Sequence, residues 1–174
     1  MDSNMVILAF DQSQSTIGWV LMLGKDVHSH GQFKPDPIHF DKVREWVRGC
    51  IGQLIKDGFK LENITVATED VYLAHYNNKP QVHTLVTLLS IREHIHAASR
   101  DMGVNYLVIT PFNAMNALTG INNIYTKREE RKAAMMKSAE LLLGEKVSEH
   151  EADALGVGMA AFNALFAQSV LSDS

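Results

Sequence analysis

Apolar residues along this chain recur in two rhythms. Val6 to Phe10 is an unbroken apolar run that stops on Asp11, and the polar stretch Gln12 to Thr16 separates it from a second run, Ile17 to Leu23. That pattern predicts a buried central strand with an acid at its tip, a polar turn, and a neighbouring strand returning antiparallel. Gly24-Lys25-Asp26 is a tight-turn sequence leading into a third short strand over residues 27–33, and Pro35 and Pro37 end the sheet segment. The rhythm then changes. Val43, Trp46, Val47, Cys50, Ile51, Leu54 and Ile55 follow steps of three and four, one stripe of an amphipathic helix that ends at Gly58. Ile64 to Thr68 reads as a fourth strand, and it too runs into acid, Glu69-Asp70. A crossover through a helix makes this strand parallel to the first, so Glu69 is expected at the same sheet edge as Asp11.

Beyond a polar loop over 71–80, carrying Tyr72, His75 and Tyr76, a long helix is expected from about Pro80 to Met102. Leu88, Ile91, Ile95, Ala98 and Met102 share one face of it, whereas Val82, Leu85, Val86 and Leu89 point nearly opposite. A helix apolar on two faces needs two covers: the sheet, and either another helix of this chain or a partner subunit. Tyr106 to Ile109 is a fifth strand, and Thr110-Pro111 suits a helix start with Thr as N-cap. After Thr119-Gly120 the stretch 121–125 is irregular. Thr126 to Glu129 and Ser148 to Glu151 are two capping-box patterns, the first opening a helix to Leu143 and the second opening the last helix. Ala152, Ala154, Gly156, Gly158, Ala160 and Ala161 are small enough to let that last helix lie close against the sheet.

Composition narrows the class. With 174 residues, 46% hydrophobic and 21% charged, one globular domain spanning 1–174 is expected. The single cysteine, Cys50, can form no intrachain disulfide and reads as a small buried hydrophobe in a reducing compartment. The N-terminal apolar run is too short for a signal peptide, and Asn163, Gln168 and Ser169 interrupt the apolar stretch 155–171, which argues against a membrane span. A soluble, cytoplasmic protein is the expectation. A net charge of −4 does not advertise a nucleic-acid binder unless positive charge is gathered on one face. The densest basic stretch is Lys127-Arg128-Glu129-Glu130-Arg131-Lys132.

The candidate chemistry lies in the acids. His150 and Asp153 are three residues apart on one helix face, and Glu149 and Asp153 are four apart. Glu151 has a simpler duty in the capping box. The expected constellation is therefore Asp11 and Glu69 at strand ends, facing a helix that supplies Asp153 and either His150 or Glu149. Clustered carboxylates repel one another unless a cation neutralises them. Oxygen-rich ligands with an open side suit Mg²⁺ or Mn²⁺, and two such ions about 3.5–4 Å apart serve phosphodiester hydrolysis.

With these residues in place the sequence resembles the RuvC-like Holliday junction resolvases of the ribonuclease-H-like superfamily, possibly a phage or divergent branch. The resemblance runs through Ile7-Leu8-Ala9-Phe10-Asp11 with Thr16-Ile17-Gly18-Trp19, and through Ala67-Thr68-Glu69-Asp70-Val71-Tyr72. It resumes from Thr110-Pro111 to Leu118-Thr119-Gly120 and closes over residues 151–158, where Asp153 lies. It implies an α/β fold, a mixed sheet of three antiparallel strands followed by parallel ones and flanked by helices. It further implies a homodimeric endonuclease that cuts four-way DNA junctions with two Mg²⁺ or Mn²⁺ ions, leaving 5′-phosphate and 3′-hydroxyl ends. Asp11, Glu69 and Asp153 match the family's metal-holding acids. His150 matches the ligand three positions before the last acid, and Tyr72 the aromatic that pries at stacked bases of the junction. Two departures stand out. The chain is acidic where bacterial members are basic, and Met115 and Asn116 occupy the region where the family carries a lysine. Phosphate contacts are then expected from Lys127, Arg128, Arg131 and Lys132. The competing readings are a junction-binding protein with a degenerate nuclease site and a fragment of an actin-like-fold sugar kinase, whose strand-turn-strand also opens on Asp-Gln.

Overall fold

The computed structural model describes residues 5–35, 39–71, 82–122 and 127–172. Five strands form one sheet: β1 (Val6–Gln12), β2 (Ile17–Leu23), β3 (Asp26–Phe33), β4 (Ile64–Glu69) and β5 (Asn105–Ile109), in the order β3-β2-β1-β4-β5. β1 pairs antiparallel with β2 and parallel with β4, and β5 continues the parallel half. The expected mixed sheet is therefore present, with β1 at its centre and every residue of β1 buried. A strand covered on both faces reads as a continuous apolar run, as Val6 to Phe10 does.

Among the described residues five α-helices cover the two faces. α1 (Asp41–Lys56) and α2 (Val82–Met102) pack on one side, where Val43, Val47, Ile51, Ile91 and Ile95 meet Val6, Leu8 and Phe10. α3 (Pro111–Thr119), α4 (Arg128–Leu143) and α5 (Glu149–Ser172) cover the other, against Ile7, Ala9, Val20, Met22 and Ala67. The two-residue period of a strand assigns Asp11 to the face of Ile7 and Ala9, and Glu69 to that of Ala67. Both acids thus belong to the α5 side of the sheet.

Local signals in the sequence translate directly into caps. The Thr110 hydroxyl accepts from the Asn113 N–H at the start of α3. Ser148 and Glu151 form the expected capping box: the Ser148 N–H donates to the Glu151 carboxylate at 3.0 Å, and the Glu151 N–H donates to the Ser148 hydroxyl at 3.2 Å. At α4 the N-cap position is held by Lys127 without a side-chain bond, and Thr126 lies outside the described residues.

Three expectations need correction. Gln12, read as part of the turn, is the last residue of β1 and is buried. Cys50 is half-buried at the edge of the α1 layer, where burial raises its thiol pKa. Gly156 does not meet the sheet. A Cβ there would fall 2.8 Å from the Ala114 carbonyl oxygen of α3, whereas one on Gly158 would strike Met22 and Val20 of the sheet. α5 therefore nests between sheet and α3, and its small residues serve both contacts.

α5 is also long and apolar enough to cross a membrane by length and composition, with mean hydropathy 1.5 and 39% of its most apolar window buried. Its first half is core helix, with Ala152 and Ala154 to Gly158 buried. Past Ala161 it becomes exposed, with Phe166, Val170 and Leu171 in the open.

Candidate active site

Phe10 of β1 is paired with Thr68 of β4, so the next residue on each strand, Asp11 and Glu69, stands side by side at the sheet's edge. Parallel pairing fixes the two backbones, and the side chains take the same direction. α5 arrives over this edge at Gly18 on β2. A Cβ on Gly18 would sit 2.0 Å from the His150 carbonyl oxygen, so only glycine admits the first turn of α5 this close. That approach brings the His150 Nδ1 to 2.8 Å from Asp11 Oδ2.

Asp153, one turn further on, lines a cleft of about 540 Å³ together with Glu69 and Gln12. The opposite wall comes from α4, through Arg128, Arg131 and Lys132. Of the four basic residues expected to contact phosphate, three line the cleft, and Lys127 is exposed outside it. Glu149, the alternative to His150, instead pairs with Lys132. Tyr72 lies outside the described residues.

The acids perturb one another. Burial, and then the charges of Asp11 and Asp153, push the Glu69 carboxyl up to about 8. Asp153 is pushed up to about 7 by burial and by Asp11 and Glu149, with Lys132 and His150 pulling the other way. The hydrogen bond to Asp11 raises the His150 pKa against the opposing effect of burial. The contact with Asp11 therefore favours the protonated form of the His150 imidazole, whose charge opposes that of the acids.

Among the described residues no group of three or more His, Cys, Asp and Glu side chains is arranged to hold a metal ion as it stands. The donors fit a hard divalent cation in kind: three carboxylates repel one another across a cleft with an open side. Asp11, Glu69 and Asp153 are the residues that would hold such an ion.

Three further groups had no clear signal in the sequence. The Gln12 Nε2 donates to the Glu69 carbonyl oxygen at 2.6 Å, tying the two strand ends together. Arg92 of α2 donates to Asp70 Oδ1 at 2.8 Å, holding that acid against α2. On β3, His30 bonds Glu151 at 2.8 Å and Glu145 at 3.1 Å, fastening the start of α5 to the sheet's edge. Each partner is remote in sequence, so no periodic pattern announces it.

No protein-family model matches the chain, and no curated protein matches its sequence. The fold itself is a ribonuclease-H-like one, a mixed five-stranded sheet flanked by five helices. Among solved structures the chain is similar to Thermus thermophilus RuvC, with TM-score 0.68 and 18% identity over 94% of this chain and 97% of that one. The same protein in complex with a Holliday junction substrate gives TM-score 0.65 and 16% identity over 93% and 96%. The yeast mitochondrial Holliday junction resolvase Ydc2 gives TM-score 0.52 and 9% identity over 93% and 79%.

Proposed function

We propose that this protein is a divalent-metal-dependent endonuclease that hydrolyses phosphodiesters at four-way DNA junctions, acting as a homodimer in the cytoplasm. One observation carries the reading: a single cleft sets the half-buried acids Glu69 and Asp153 against the cations Arg128, Arg131 and Lys132, with the buried Asp11 adjoining on β1. Acids alone would repel a phosphodiester, and cations alone would only bind one. The RuvC-like fold supports the substrate class, since RuvC itself has been captured on a Holliday junction.

In this reading Asp11, Glu69 and Asp153 would hold the metals, with His150 as the fourth candidate ligand. Two Mg²⁺ or Mn²⁺ ions, when bound, activate water and stabilise the departing oxygen. Arg128 and Arg131 neutralise phosphate oxygens and orient the strand, contacts that position without reading sequence. Dimerisation would use α2, where Val82 and Val86 are exposed and Leu85 and Leu89 are half-buried. A two-fold dimer would present one cleft to each of two symmetric strands of a junction.

A second reading, a junction-binding protein that does not cut, is favoured by the His150–Asp11 contact, which occupies a would-be metal ligand. Incubation of the protein with a synthetic four-way junction, with and without Mg²⁺ or Mn²⁺, separates the two. Symmetric nicks that need the metal support the nuclease. A gel shift with intact strands supports the binder. Replication forks, flaps and plain duplex in parallel define the breadth of substrates.

A further inference from the structure

Among the described residues, Gln12 is the one buried side chain lining the cleft with an uncommitted polar atom. It is only 7% exposed and lines the cleft beside Glu69 and Asp153. Its amide orientation is dictated by chemistry. The Nε2 donates to the Glu69 carbonyl oxygen at 2.6 Å, where the amide oxygen would meet another acceptor and be repelled. The Oε1 is therefore turned away from that carbonyl, and among the described residues it is a buried oxygen with no hydrogen-bond partner. Buried acceptors without a donor are rare in folded proteins, and an ordered water or ion is one of the few things that can satisfy one at a polar site.

We infer that Gln12 is a water-positioning residue: its Oε1 accepts a hydrogen bond from a water molecule held in the carboxylate cleft. The inference deepens the nuclease reading and rests on it for the use to which that water is put. Glu69, on the strand beside Gln12, is bound by the same amide through its backbone. A single side chain thus couples the place of a metal-holding acid to the place of a water. A hydroxyl donor of a substrate would meet the same acceptor, but the burial of Oε1 favours the smaller guest. Phosphate oxygens are excluded, because they are acceptors themselves.

Two measurements test this. In a high-resolution crystal structure of the metal-free protein, a water is expected within hydrogen-bonding distance of Gln12 Oε1. Absence of that water, or a protein donor in its place, overturns the inference. In single-turnover cleavage of a four-way junction, Gln12→Met is expected to lower the rate about ten- to a hundredfold, as for a misplaced reactant, with junction affinity and the Mg²⁺ half-saturation unchanged. A rate equal to wild type, or one restored by saturating Mg²⁺, would reduce Gln12 to a brace for Glu69. If Gln12→Met does not fold, the wild-type water decides. If the wild-type protein cuts no junction, the nuclease reading fails while the crystallographic water still judges Gln12.

Discussion

The two faces of the sheet are packed by opposite means. On the α1–α2 side the contact is made by large branched and aromatic side chains: Val43, Val47, Ile51, Ile91 and Ile95 fill the space above Leu8, Phe10 and Ile17. Trp46 closes that layer, stacked on Phe33 at 4.2 Å and edge-on to Phe10 at 5.6 Å. On the α5 side Leu155 and Val157 are interspersed with the small residues Ala152, Ala154, Gly156, Gly158, Ala160 and Ala161, and the helix backbone itself comes down onto the sheet at Gly18. Large side chains bury much apolar area and hold a helix at a distance. Small ones bury less, but they bring polar groups of a helix tip within hydrogen-bonding reach of a strand end. The thick layer is built for stability and the thin layer for placing His150 and Asp153 beside Asp11 and Glu69.

Substitutions can break that division of labour. The largest effect is expected in the thin layer's chemistry: Asp11→Asn should lower junction cleavage by about a thousandfold or more, since metal charge stabilisation amounts to several kcal/mol. Binding measured by gel shift should persist, because affinity comes mainly from phosphate contacts. Glu69→Gln and Asp153→Asn should follow suit. His150→Ala should impair cleavage more than Glu149→Ala, and the reverse ranking would place the fourth ligand on Glu149.

In the thick layer, Ile51→Ala removes a fully buried side chain. Urea unfolding is expected to show a loss of about 2–5 kcal/mol, while cleavage per folded molecule stays at the wild-type rate. Gly18→Ala tests the converse. Its methyl group would collide with the His150 backbone, at an overpacking cost of about 1–3 kcal/mol. A disproportionate drop in cleavage is expected, with the fold intact by circular dichroism. Equal sensitivity of both layers in both assays would remove the distinction.

The outer surface of the thick layer carries the proposed interface. Leu85→Arg on α2 lies beside the exposed Val82 and Val86, and it should yield a folded monomer by light scattering that binds junctions weakly. A dimer of native mass refutes the interface, and loss of fold makes Leu85 part of the internal core.

The smallest effect expected is a pH trend. In the folded protein Glu69 keeps its proton up to about 8 and Asp153 up to about 7, against ordinary values of 4.5 and 3.8. Between those limits the folded state binds more protons than the unfolded one, so stability declines as pH rises. The raised His150 pKa acts in the same direction, being stabilising below 6.5 and lost above its folded value. The thermal midpoint of the metal-free protein should therefore fall as pH rises from about 5 to about 8. Added Mg²⁺ should flatten the slope, and a midpoint that rises with pH would contradict the clustering of these acids. At the acid end the sign reverses. Burial opposes ionisation of Glu151, but bonds from Ser148, His30 and Gln32 outweigh it and hold that carboxyl down at about 2. Its stabilisation is present above 4.5 and lost as pH falls towards 2.

Much of this architecture was legible from residue order alone, for reasons that are local. The run Val6 to Phe10 ending on Asp11 declares a central strand with an acid at its tip, because a strand covered on both faces reads as a near-continuous apolar run. The stripe Val43, Val47, Ile51, Leu54 declares one face of α1, and Ser148 with Glu151 declares the start of α5. Periodicity and capping act within a turn or two, so sequence spacing suffices to read them. What tertiary structure alone decided is which of these pieces touch. His150 and Glu149 are neighbours on one helix turn, yet one meets Asp11 and the other Lys132, because α5 is seated with its His150 backbone against Gly18. Gln12 and Glu69 are 57 residues apart, and their hydrogen bond exists because parallel register sets Phe10 against Thr68. Contacts of that kind depend on register and interlayer distance, which arise from the packing of the whole core and from no single stretch of chain.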